Sequence, residues 1–145
     1  MYSKFAVFVS GGACLTALSI KKIYCEDAPD YYKQTGLASG IGNTPLVFIR
    51  SLSEATKCEI YAKAEYHNAS GSIKDRAALG IILEAERSNK LNKGGTIVEG
   101  TGGNTGIALA QIGASKGYKV ILCMPNCIAV EKINYSKRFG AEVGF

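Results

Sequence analysis

The sequence predicts an α/β protein, a parallel sheet built from βαβ units and preceded by an N-terminal hydrophobic helix. From Thr96 to Val143 the segments alternate as strand, helix, strand, helix, strand, the pattern of parallel strands joined by right-handed crossovers. One strand feeds a glycine-rich turn, Gly100-Thr101-Gly102-Gly103-Asn104-Thr105-Gly106, that opens directly into a helix. Phe5 to Ile20 is an uncharged, mostly apolar run with lysines on both sides.

The N-terminal run comes first. Sixteen residues of helix span about 24 Å, short of a hydrocarbon core of about 30 Å. Taking Met1 to Tyr24 lets Lys4, Lys21 and Lys22 snorkel, which makes residues 1–24 a hydrophobic anchor or a signal peptide. A signal-anchor with the following domain in the cytosol is the preferred expectation. The mitochondrial outer membrane is favoured over the endoplasmic reticulum membrane or the cytoplasm. Residues 25–40 read as a polar linker containing a short helix.

From Ile41 the character changes. Ile41-Gly42-Asn43-Thr44-Pro45 is turn chemistry, Leu46 to Ile49 a short strand, and Glu59 to Glu65 a strand of roughly alternating polarity. His67 to Gly71 leads as a loop into a helix from Ser72 toward Lys90. Thr96 to Glu99 is the next strand, followed by the glycine-rich turn and a helix to about Lys116, with Asn104 as its N-cap. Lys119 to Met124, a helix from Ala129 to Phe139 and a strand at Ala141 to Val143 complete the series. A domain seldom stops on an unfinished strand, so residues 41–145 read as the N-terminal part of a larger domain, apparently truncated.

Composition limits the function classes. In 145 residues, 47% are hydrophobic, enough for a real core. The net charge of +5 comes from 17 basic and 12 acidic residues. It is not gathered into one block interleaved with aromatics, so nucleic acid is not an expected partner. Cys14, Cys25, Cys58, Cys123 and Cys127 form no disulfide framework, and with His67 as the single histidine no metal site is expected. His67 reads as a local hydrogen bonder, and Glu84, Glu86 and Arg87 as a solvated helix face.

The chemistry-bearing stretch is Ser70-Gly71-Ser72-Ile73-Lys74-Asp75-Arg76. Ser72 and Asp75 fit a capping box, which puts Lys74 in a helix's first turn. At about 100° per residue, Lys74 shares a stripe with Ala78, Ile81 and Ala85 and is expected to point inward. Burial and the positive helix end both disfavour an ammonium ion, and a neutral lysine condenses with aldehydes. An isolated lysine there would ordinarily snorkel outward, so its neighbours decide. The Gly100–Gly106 turn supplies N–H groups and hydroxyls suited to a phosphate or carboxylate. It lacks the Lys-Ser/Thr of a P-loop, and Thr105 stands where GxGxxG needs its third glycine. The Thr-Gly-x-x-x-Gly turn of short-chain dehydrogenases is matched by Thr101-Gly102…Gly106, although Ala108 occupies that family's last glycine.

Three blocks in order carry a resemblance: Ile41 to Val47; Lys63-Ala64-Glu65 with Asn68 to Arg76; and Glu99 to Ala110. Together they resemble the cysteine synthase and cystathionine β-synthase family, fold-type-II enzymes that use pyridoxal 5'-phosphate. The resemblance covers about Ile41 to Val143. It implies that Lys74 is both the catalytic and the cofactor-binding lysine, joined to the cofactor as a Schiff base and later acting as base on the substrate's α-proton. It also implies that Asn104 meets the cofactor ring hydroxyl. Thr101, Gly102, Gly103, Asn104 and Thr105 become the substrate-carboxylate loop, distinct from the family's later phosphate loop. The implied reaction is β-replacement or β-elimination on an activated serine, the substrate a small amino acid, and the complete enzyme a homodimer.

Two positions depart from the family pattern: Gly102 replaces a serine, and Ala69 replaces a proline. A non-catalytic remnant that keeps the carboxylate cradle, or a small-molecule binding module, is the alternative. A nucleotide-binding oxidoreductase built on the Gly100–Gly106 turn is another, which leaves Ser70–Arg76 unexplained. The membrane is an expected partner through residues 5–20.

Overall fold

The computed structural model describes residues 36–145. The anchor or signal at 1–24, and residues 25–35 of the linker, lie outside the described residues. Among the described residues no helix is long and apolar enough to cross a membrane. These residues fall into two compact units, residues 46–63 and residues 36–45 with 64–145.

In the smaller unit, β1 (Leu46–Phe48) pairs antiparallel with β2 (Tyr61–Lys63), Val47 facing Ala62. Between them runs α1 (Arg50–Thr56), a helix that the sequence reading did not anticipate. Ser53 fastens it: its Oγ donates to Ile49 O at 2.8 Å and accepts the Ile60 N–H at 2.9 Å. Lys57 ends the helix in the left-handed region at φ 56°, a conformation that lets the chain reverse within one residue. β2 is shorter than the strand expected over Glu59 to Glu65.

The larger unit holds the parallel sheet. β3 (Thr96–Gly100), β4 (Lys119–Cys123) and β5 (Glu142–Gly144) lie in that order, with Val98 opposite Ile121 and Leu122 opposite Val143. α3 (Asn104–Ser115) connects β3 to β4, and α4 (Val130–Arg138) connects β4 to β5. α2 (Lys74–Arg87) packs on α3. The alternation and element order agree with the sequence expectation, with boundaries shifted by one to three residues.

α3 is the centre of this unit because it is buried all round: Gly106 through Gly113 are buried, all apolar except Gln111, as a helix covered on several sides must be. Gly113 allows its closest approach to the sheet, since a Cβ there would lie 2.5 Å from Cγ2 of Val120. Val120, Leu122 and Met124 form the core with Ala110 and Ala141, and Ile97, Ile128 and Phe139 pack around them. α2 contributes Ala78, Leu79 and Ile82, each 3% exposed or less.

Candidate active site

α2 begins at Lys74, with Ile73 rather than Ser72 in the capping position. Ser72 still helps: its Oγ accepts the Lys74 N–H at 3.2 Å. The expected box partner, Asp75, turns elsewhere. Fully buried, its carboxylate accepts the Ser70 N–H at 2.6 Å and the Ser70 hydroxyl. The buried stripe of α2 therefore runs through Asp75, Ala78, Leu79 and Ile82, one residue round from the stripe expected through Lys74. Ile81, assigned to the inward stripe with Lys74, is 58% exposed. Lys74 itself is exposed. Helical periodicity aligns Lys74 with Ala78, but the buried Asp75 holds the inward position because two Ser70 donors satisfy it.

A second polar cluster holds this turn from behind. Glu65 ends the Lys63-Ala64-Glu65 block, and its carboxylate accepts Arg76 Nε at 2.8 Å and Arg76 Nη2 at 3.0 Å. It also accepts the Thr44 hydroxyl at 2.7 Å and Asn68 Nδ2 at 2.7 Å. The Arg76 guanidinium pulls the Glu65 carboxyl down to about 2, with Thr44 and Asn68 adding to the shift and partial burial opposing it. Asn68 is almost fully buried; its Nδ2 reaches the carbonyls of Glu65 and Ser72, and its Oδ1 accepts the Gly42 N–H at 2.8 Å. One carboxylate and one amide thus fasten three separate stretches: Gly42–Thr44, Glu65–Ser72 and the first turn of α2. Sequence reading gave Thr44, Glu65 and Asn68 no role. The available signal was opposite charge, Glu65 against Arg76, within neighbouring motif blocks.

The glycine-rich turn leaves the carboxyl end of β3, the edge at which parallel α/β sheets hold ligands. Gly103, not Asn104, is the capping residue, and Asn104 is the first residue of α3, so the helix starts one place earlier than expected. The Thr101 N–H is tied to Cys123 O at 3.0 Å, and Thr101 Oγ1 accepts the Gly103 N–H at 3.3 Å. N–H groups of the first helical turn have no intrahelical acceptor, so those of Asn104 and Thr105 face the space before the helix. That space is open over Gly100 and Gly103, where a Cβ would meet nothing within 4 Å. Over Gly102 it is closed. A Cβ there would fall on Cδ1 of Ile128 and lie 2.9 Å from its Cγ1.

Lys74 and Asn104 begin helices that share an orientation. Glu86, near the end of α2, accepts the Tyr118 hydroxyl at 2.6 Å and pairs with Lys116 Nζ at 3.2 Å, just past the end of α3. Gln111, midway along α3, donates to Ala69 O at 3.1 Å ahead of α2. Both helices therefore start toward the same end of the pair. Glu86 is not the solvated residue expected, whereas Glu84 and Arg87 do form an exposed pair at 2.7 Å. His67 closes a short 3-10 turn through its own N–H to Ala64 O at 3.1 Å, and its ring lies 4.6 Å from that of Tyr66.

An exposed lysine opens one helix of this α/β protein, and a glycine-rich turn with open backbone over Gly100 and Gly103 opens another. Residues 37–145 match the pyridoxal-phosphate dependent enzyme family, and the chain belongs to that family. It is 54% identical over 108 residues to cysteine synthase 1 of Neurospora crassa, covering 74% of this chain and 29% of that protein. It is 49% identical over 105 residues to cystathionine beta-synthase of Mus musculus, covering 71% of this chain and 19% of the relative. Among solved structures, a hydrogen sulfide-producing enzyme from Fusobacterium nucleatum aligns with a TM-score of 0.70 at 43% identity, covering 76% of this chain and 36% of that one. O-ureido-L-serine synthase aligns with a TM-score of 0.72 at 36% identity, covering 77% and 35%. The chain thus spans about a third or less of the length of these relatives.

The cofactor of this family is pyridoxal 5'-phosphate, and the residues present fit it in part of its chemistry. Lys74 is exposed, as a residue that meets an aldehyde must be, and the backbone is open over Gly100 and Gly103, though not over Gly102, where a carboxylate would fit.

Proposed function

We propose that this chain carries the lysine and substrate-carboxylate elements of a cysteine synthase-type enzyme, acting by β-replacement or β-elimination on an activated serine. The observation that supports it most is the exposed Lys74 amine at the start of α2, behind a turn fixed by Asp75 and the Glu65–Arg76 cluster. Lys74 Nζ would hold the aldehyde of pyridoxal 5'-phosphate, and once released would take up the proton from the substrate's α-carbon. When bound, the cofactor supplies the electron sink that makes that proton acidic. Hydroxyls of Thr101 and Thr105, with N–H groups of the turn, would bind the substrate carboxylate. Asn104, exposed at the first residue of α3, would meet the ring hydroxyl. At Gly102 the backbone alone takes part.

The catalytic unit would be a homodimer, tethered to a membrane through residues 5–20. The family match leaves the dinucleotide-binding reading without support. The non-catalytic reading differs in one respect, the reaction of Lys74. Titration of the purified protein with pyridoxal 5'-phosphate, followed by hydride reduction and peptide mapping, tests this. Label at Lys74 that is absent from Lys74→Ala is expected; a folded protein labelled equally at its other lysines contradicts it.

A further inference from the structure

Gln111 is 5% exposed, in the middle of the most apolar helix of the fold, and its Oε1 has no hydrogen-bond partner among the described residues. A buried, unpaired amide oxygen is unfavourable, and an apolar side chain of equal length would avoid it. What the amide provides in return is its other end. Nε2 donates at 3.1 Å to Ala69 O, 42 residues earlier in the chain. Ala69 stands between Asn68, held by the Glu65 cluster, and Ser70, held by Asp75. Its carbonyl is the point at which α3 grips the turn that ends in Lys74.

We propose that Gln111 is a positioning residue for Lys74, acting through the Ala69 carbonyl to hold the Ser70–Ser72 turn against α3. The proposal rests on the reading of Lys74 as the cofactor lysine. The turn needs such a tether because nothing in Ala69 restrains it locally. Asn68 already has the extended conformation, φ −63° and ψ 158°, that a residue before proline adopts. The Ala69 N–H donates to no acceptor among the described residues. A proline at 69 would therefore enter without losing a hydrogen bond and would stiffen the turn from within. Gln111 does from α3 what a ring at 69 would do in place.

The test uses Gln111→Met, which keeps length and apolar volume while removing both amide atoms, and the double variant with Ala69→Pro. Amide exchange is followed at Ser70 and Gly71, whose N–H groups are bonded to Asp75 and to Asn68 O. Exchange there should rise about tenfold in Gln111→Met, the worth of one hydrogen bond, with β4 amides unchanged. Ala69→Pro should reverse most of the rise. The rate at which pyridoxal 5'-phosphate reacts with Lys74 should fall and recover in parallel, while acetylation of Lys74 by acetic anhydride, which reports the accessibility and basicity of the amine, stays constant. Unchanged exchange at Ser70 and Gly71, a rise shared equally by β4, or a loss that Ala69→Pro does not reverse overturns the proposal. Gln111→Leu replaces Gln111→Met if the latter does not fold. If the parent protein gives no Lys74 adduct, the reading of Lys74 falls, and the exchange data still decide whether Gln111 holds the turn.

Discussion

Glu65 is the residue on which the lysine-bearing turn hangs, because its carboxylate is shared by Thr44, Asn68 and Arg76. Removing its charge takes the Glu65 carboxylate away from the partly buried Arg76 guanidinium. Glu65→Gln should lower stability by about 1–3 kcal/mol, read as an earlier denaturant midpoint. The acid dependence follows from the same geometry. The folded Glu65 carboxyl sits at about 2 against an ordinary 4.5. A depressed carboxyl stabilises the fold above its unfolded value, so the contribution is lost as pH falls from about 4.5 toward 2. Stability in that range should fall more steeply for the parent protein than for Glu65→Gln, and equal slopes would count against the cluster. The sequence disclosed Lys74 but not which way it faces. Periodicity ranks Ala78 beside it, but cannot show that Asp75 is the residue turned inward once Ser70 satisfies it. A polar residue inside an otherwise apolar helix, Gln111 between Ala110 and Ile112, was the one visible sign of the tether.

Two pairs of elements carry testable couplings. The β3–α3 turn and the β4–α4 loop meet where Gly102 faces Ile128. A side chain at 102 must displace Ile128, so Gly102→Ser should destabilise by about 1–3 kcal/mol in the parent background. With Ile128→Ala already present the added cost should nearly vanish, a coupling that a double-mutant cycle in urea measures. At the other end of α3, Tyr118 donates to Glu86, which together with burial pushes the Tyr118 phenol up to about 12 from an ordinary 10.0. A raised acid favours the fold below its unfolded value, so this contribution holds below about pH 10 and is lost as pH rises through 12. Tyr118→Phe should cost about 1 kcal/mol at neutral pH and flatten the alkaline limb of the stability curve. The parallel βαβ series was legible because its strands, turns and helices follow the local rules in order. α1 was not, because its seven residues carry no helical stripe, and it is held by Ser53 contacts that local pattern does not encode.

For the whole molecule, the family follows from the match over residues 37–145 and from identity near half with cysteine synthases. The chain covers 29% of the Neurospora crassa relative, so the activity proposed belongs to the site elements present here: an accessible lysine, a fixed turn behind it and a glycine-rich cradle. The decisive measurement is hydride trapping of pyridoxal 5'-phosphate on the purified protein, with the modified residue located by mass spectrometry. Saturable modification concentrated at Lys74, reduced by Gln111→Met and absent in Lys74→Ala, is the expected result. Modification spread evenly over the surface lysines of a folded protein, unchanged by Lys74→Ala, would contradict it.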